Sequence, residues 1–135
     1  MKKIFVFFFV LTVSMAAQSE WSNSAEIVKT LKAQFDRPDN PVRVEAVVSS
    51  SEFGIASWTQ GSNGGRALLK RQGGSWNVLL CAGKSLKEVK TLVQADVPAE
   101  VSKKMLAELN LLEMRLPEGR RHQFDDFSMG QSAHH

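Results

Sequence analysis

The sequence predicts a small α+β domain, and three observations carry that expectation. Between Val42 and Cys81, short alternating or apolar runs are separated by glycine- and serine-bearing turns of a few residues, as in strands that pair with their sequence neighbours. Before that region Ile27, Leu31 and Phe35 recur at helical spacing, and after it Val101, Met105, Leu109, Leu112 and Leu116 do the same. The expected architecture is an N-terminal helix, a four-stranded antiparallel meander and C-terminal helices, cystatin-like or NTF2-like in outline.

The first 16 residues read as a cleaved signal peptide. Met1-Lys2-Lys3 is a short positive segment, Ile4–Val13 is almost uninterruptedly apolar, and Ser14-Met15-Ala16 supplies small residues for a peptidase. Counted generously, the apolar stretch is about 14 residues, where a membrane-spanning helix needs about 20. The expectation is an exported, periplasmic protein with no membrane span after cleavage. Loss of Lys2 and Lys3 removes most of the formal +3 charge, because the 17 basic residues of the whole chain face 14 acidic ones. Without a continuous basic stripe, nucleic-acid binding is not expected. One cysteine allows no internal disulfide, so a single core must hold residues 17–127 together. Residues 128–135 (SMGQSAHH) read as a polar, flexible tail.

Within the domain, Asn23 with Glu26 three residues on reads as a capping box opening the first helix. Asp36–Pro41 should end it, since each proline disfavours helix in the residue before it. Val42, Val44, Ala46 and Val48 form one face of a first strand, opposite Arg43 and Glu45. The second strand is expected over 53–60, the third over 66–71 after a long turn at Gly61–Gly65, and the fourth over 76–81. In the fourth, Trp76, Val78 and Leu80 alternate against Asn77, Leu79 and Cys81. Ser85–Glu88 reads as a second capping box, and Pro98 as the start of the long helix, whose face Leu106 and Leu111 widen. Phe124 and Phe127 should seal a last short helix onto the core.

Few residues suggest chemistry. Cys81 reads as a small apolar filler near a strand end, and no second cysteine stands at structural-zinc spacing. The Gly61–Gly65 turn can in principle bind an anion, but it lacks the Gly-Lys-Ser/Thr of a phosphate loop and precedes a strand. Arg66, directly after it, is the one charge placed to face a ligand, although such arginines more often pair with a carboxylate across the sheet. Trp58 and Trp76 are expected to pack against helices. Asp125-Asp126 reads as a solvated patch, because adjacent helical residues diverge. The histidines are the most suggestive group: His122, His134 and His135, with Met129 between them, offer the imidazole and thioether ligands that copper favours. No serine stands in a nucleophile-elbow context.

Phe35-Asp36-Arg37-Pro38-Asp39, then Ile55-Ala56-Ser57-Trp58-Thr59-Gln60-Gly61, Gly64-Gly65-Arg66-Ala67-Leu68-Leu69, and Trp76 with Leu80-Cys81-Ala82-Gly83 resemble the small exported bacterial proteins known as copper uptake system-associated proteins. Val97-Pro98 and the Leu116–Phe127 segment fit the same pattern. The resemblance implies a periplasmic accessory that works beside a membrane copper importer or a periplasmic copper carrier. It implies no enzyme activity and assigns no ligand residues. The ligand set His122, Met129, His134 and His135 rests on side-chain chemistry alone. A different class stays open: a small-molecule-binding or enzymatic α+β domain with a pocket between sheet and helices, in which Arg66 and Cys81 would converge. An inhibitor-like domain using the Gly61–Gly65 turn as a wedge is a third.

Overall fold

The computed structural model describes residues 15–127, with side chains from residue 23 onward. Helix α1 runs from Met15 to Phe35. Ile27 and Leu31 are fully buried along it and Phe35 half-buried, which is the expected apolar stripe. The expected capping box at Asn23 is overturned, because the chain is already helical from Met15. Asn23 lies inside it and is buried, its side-chain oxygen accepting a hydrogen bond from Arg71 at 3.2 Å. The helix ends where the prolines require. Asp36 then fixes the corner into the sheet, its carboxylate accepting from the Val42 amide at 2.6 Å while Lys32 donates to the Val42 carbonyl at 2.8 Å.

The sheet is an antiparallel meander in the order β1-β2-β3-β4, formed by β1 (Arg43–Ser49), β2 (Phe53–Gln60), β3 (Asn63–Gln72) and β4 (Ser75–Ala82). The β3–β4 hairpin turns on Gly73 and Gly74, both at positive φ, which glycine adopts without steric cost. The expected long turn at Gly61–Gly65 is shorter than its glycines suggest. Gln60 pairs with Asn63, so Gly61-Ser62 alone reverses the chain and Gly64 and Gly65 lie in β3. Those two are small because Gln123 and Phe127 press on them. A Cβ on Gly64 would come within 2.7 Å of the Gln123 carbonyl, and one on Gly65 within 2.8 Å of Phe127.

Both faces of the sheet are covered, and two bulges decide which residues meet which cover. The pairing of β1 with β2 slips at Glu45, between Val44 and Ala46. An inserted residue shifts everything beyond it by one position and so to the other face. Val44 therefore packs with the α1-side cluster, while Ala46 and Val48 join the opposite one. This corrects the single apolar face expected for Val42–Val48. In β4 the slip falls at Leu79: Trp76 and Val78 face α1, Leu80 and Ala82 face away from it, and Leu79 is exposed. Simple alternation cannot register either bulge.

The face away from α1 is covered by a 3₁₀ turn at Lys84–Lys87, α2 (Val89–Gln94), α3 (Ala99–Met114) and α4 (Glu118–Asp125). The expected capping box at Ser85–Glu88 is that 3₁₀ turn, with Leu86 buried beneath it and Glu88 extended without a side-chain cap. Met105, Leu106 and Leu109 bury the expected stripe of α3, but Leu111 does not join it and is 61% exposed. Phe124 is buried, and Phe127 meets Trp58 edge-on at 5.8 Å. Among the described residues, no helix is long and apolar enough to cross a membrane. The expected signal segment lies outside the described residues except for its last two positions, and the tail 128–135 lies outside them entirely.

Candidate functional site

Arg66 is the residue around which the buried polar groups gather. It stands in β3 opposite Ser57 of β2, on the face that receives α3 and α4, and is 1% exposed. Its carboxylate partners come from the helices, not from across the sheet. Its Nε donates to Glu113 Oε2 at 2.9 Å and its Nη2 to Oε1 at 2.7 Å, a two-pronged pair. Nη1 donates to Asp125 Oδ1 at 2.8 Å and to the Gly83 carbonyl at 3.0 Å. Ser57 Oγ donates to Glu113 Oε2 at 2.5 Å, and Lys87 approaches Oε1 at 3.4 Å. The Phe124 ring centroid lies 5.7 Å from the guanidinium carbon.

Burying a guanidinium and a carboxylate is costly unless every donor and lone pair is engaged. Burial opposes both charges, but the mutual bonds outweigh it: Arg66 titrates above its usual value, and Glu113 below the usual carboxylate range, helped by Ser57 and Lys87. The cluster is a closed, charge-balanced plug joining β2, β3, the β4 end, α3 and α4. Four of the five Arg66 N–H donors are engaged within it, and the side chain is buried from solvent. Asp125 thus departs from the expected solvated patch, whereas Asp126 is exposed.

A second, half-buried carboxylate ties α4 to the sheet. Glu45, raised at the β1 bulge, accepts from Thr59 at 3.0 Å and from Arg120 of α4 at 2.7 Å. Gln123 donates to the carbonyls of Gly61 and Asn63, so the glycine turn offers acceptors to α4 and gives no support to anion binding. Glu113 escaped the sequence reading, although a signal for it exists. It continues the Met105, Leu106, Leu109 stripe of α3, and a carboxylate on an otherwise apolar stripe implies a buried cation opposite.

The two residues expected to converge in an enzyme pocket do not. Arg66 faces α3, whereas Cys81, half-buried in β4, packs with the α1-side cluster. Burial pushes its thiol up to about 11, the opposite of an activated nucleophile. Open space occurs elsewhere, as a cleft of about 290 Å³ at the outer edge of β1 lined by Ser24, Val47, Val48, Ser49, Glu108, Leu111, Leu112 and Arg115. Of the expected copper ligands, His122 is exposed on α4 with Nε2 3.6 Å from Glu118. Met129, His134 and His135 lie outside the described residues. Among the described residues, no three His, Cys, Asp or Glu side chains stand together as a metal cage.

No protein-family model, curated protein or solved structure matches the chain. Fold and site define an α+β domain with a sheet covered on both faces and a buried, charge-balanced polar plug.

Proposed function

We propose that this chain is an exported accessory protein of a copper uptake system, acting in the periplasm by docking to a protein of that system and not as an enzyme. The copper assignment rests on the resemblance of the Ile55–Gly61 and Gly64–Leu69 segments to copper uptake system-associated proteins. The preference for docking rests on one observation: Arg66, the charge best placed to meet a ligand, is buried from solvent and spends four of its five N–H donors on Glu113, Asp125 and the Gly83 carbonyl. With the interior closed, recognition is left to the surface. The partner is a membrane copper importer or a periplasmic copper carrier.

Direct handover of copper is the second reading. It is favoured by the exposure of His122 on α4, shortly before Met129, His134 and His135. Copper is then cargo, held by imidazole and thioether groups. Deleting the coding sequence in its own organism and measuring cell copper under copper limitation tests both readings. Lowered copper, restored by a chain ending at Phe127, is the docking result. Restoration that requires residues 128–135, with Cu(I) binding lost on their removal, is the handover result. Unchanged copper on deletion refutes both.

A further inference from the structure

The cleft beside β1 lies at a margin of the sheet, and its lining carries one acid and one base, Glu108 and Arg115. Helices α1 and α3 cover opposite faces of the sheet, yet Ser24 of α1, three residues of α3 and Arg115 just past its end line one cleft with Val47, Val48 and Ser49. That is geometrically available only at the sheet's margin, and β1 is a marginal strand. An edge strand presents unpaired backbone N–H and C=O groups on alternate residues. The wall on the α3 side consists of Glu108, Leu111 and Leu112 of α3 and Arg115, the residue that caps its C-terminal end, at the i, i+3, i+4, i+7 positions of one helical face. Leu111, largely exposed, therefore stands between an acid and a base. Among the described residues neither Glu108 nor Arg115 has an ion-pair partner. Seven residues of helix separate them by about 10 Å along the axis, and three to four residues of extended chain cover about the same length.

We infer that the β1 edge binds an extended segment of a partner protein that adds as a fifth strand, with a basic side chain opposite Glu108, an apolar one against Leu111, and an acidic one opposite Arg115. The identification of this groove rests on the docking reading above and supplies its surface. Backbone pairing gives affinity that is indifferent to sequence, and the ordered charges give selection.

The test uses the chain from residue 17 onward and a disulfide-closed β-hairpin peptide whose outer strand carries lysine, valine and glutamate at alternate positions. A hairpin with glutamate at both charged positions is the control. Binding is read from backbone amide shifts. The expected result is shifts confined to β1 and the facing side of α3, with the lysine-bearing hairpin bound about fivefold more tightly, the effect of exchanging one surface attraction for a repulsion. The exposed substitution Glu108→Lys should reverse the preference, and Leu111→Asp should weaken both hairpins. No binding, binding indifferent to charge, or shifts elsewhere overturns the inference. Binding that appears only after residues 128–135 are removed also overturns it, in favour of the chain's own end as occupant. Concentration-dependent shifts without peptide that vanish in Leu111→Asp do so in favour of a second copy. A chain that restores cell copper but binds no hairpin removes the groove and leaves the accessory reading; one that binds the hairpin while deletion leaves copper unchanged does the reverse.

Discussion

Replacing Glu113 by leucine should be among the most damaging single substitutions in the domain. Glu113→Leu removes both bonds to the Arg66 fork, the acceptor for Ser57 and the contact with Lys87. Arg66 keeps Asp125, which is 27% exposed and so partly solvated, and the Gly83 carbonyl. Removing one member of a buried pair typically costs about 3–5 kcal/mol. Against a total stability of about 5–15 kcal/mol for a domain, that is a large fraction. With a urea dependence of about 1.5 kcal/mol per molar, the unfolding midpoint should fall by roughly 2–3 M. The second step is diagnostic. Adding Arg66→Met removes the uncompensated cation, and Arg66→Met/Glu113→Leu should recover to within about 1–2 kcal/mol of the wild type. Urea titration followed by tryptophan fluorescence is suited to this, since Trp76 is buried within the fold. A single variant within about 1 kcal/mol of wild type, or a double variant no better than the single, would refute the plug as a charge-balanced unit.

The same cluster sets an acid limit. Because Glu113 titrates below its unfolded value, its contribution is fully present above the unfolded carboxylate pKa of about 4.3 and is lost as pH falls through the lower folded value. The wild-type urea midpoint should therefore drop more steeply below about pH 4.3 than that of Arg66→Met/Glu113→Leu, and parallel profiles would contradict the assignment. Two glycines should respond with opposite sign to alanine. Gly119, in α4 with open space around it, should gain about 0.5–1 kcal/mol in Gly119→Ala, whereas Gly74, at φ +83 in equally open space, should lose about 1–2 kcal/mol. Equal shifts in thermal midpoint would show that backbone conformation does not govern these sites. Cys81, with its thiol pushed up to about 11, should alkylate with iodoacetamide at pH 8 about a hundredfold more slowly than a free thiol; a rate near that of free cysteine would show that burial is misjudged.

Periodicity was enough to order the elements, because Ile27, Leu31 and Phe35 or Met105 and Leu109 carry their burial in their spacing. It failed where one residue's insertion changes the side of everything after it, at Glu45 and Leu79. It failed also where tertiary contact outranks local signals. Asn23 serves Arg71 instead of capping a helix, and Gly64 and Gly65 make room for Gln123 and Phe127 instead of turning the chain. Arg66 was legible as a residue that would find a carboxylate, but its partners lie 47 and 59 residues away on helices. No local pattern pairs residues at that distance; the acidic member of the α3 stripe was the available clue. The expected copper ligands divide between one exposed histidine and three residues outside the described chain, so their assignment still rests on side-chain chemistry.

If the interior is scaffold and recognition belongs to the surface, the buried charges should be dispensable once their removal is balanced. Cell copper in the deletion strain carrying Arg66→Met/Glu113→Leu measures this, with folding of the purified variant checked alongside. Copper restored to the wild-type level by the folded double variant is the outcome expected here. A folded double variant that leaves copper at the deletion level would place the function at the plug itself and contradict the account.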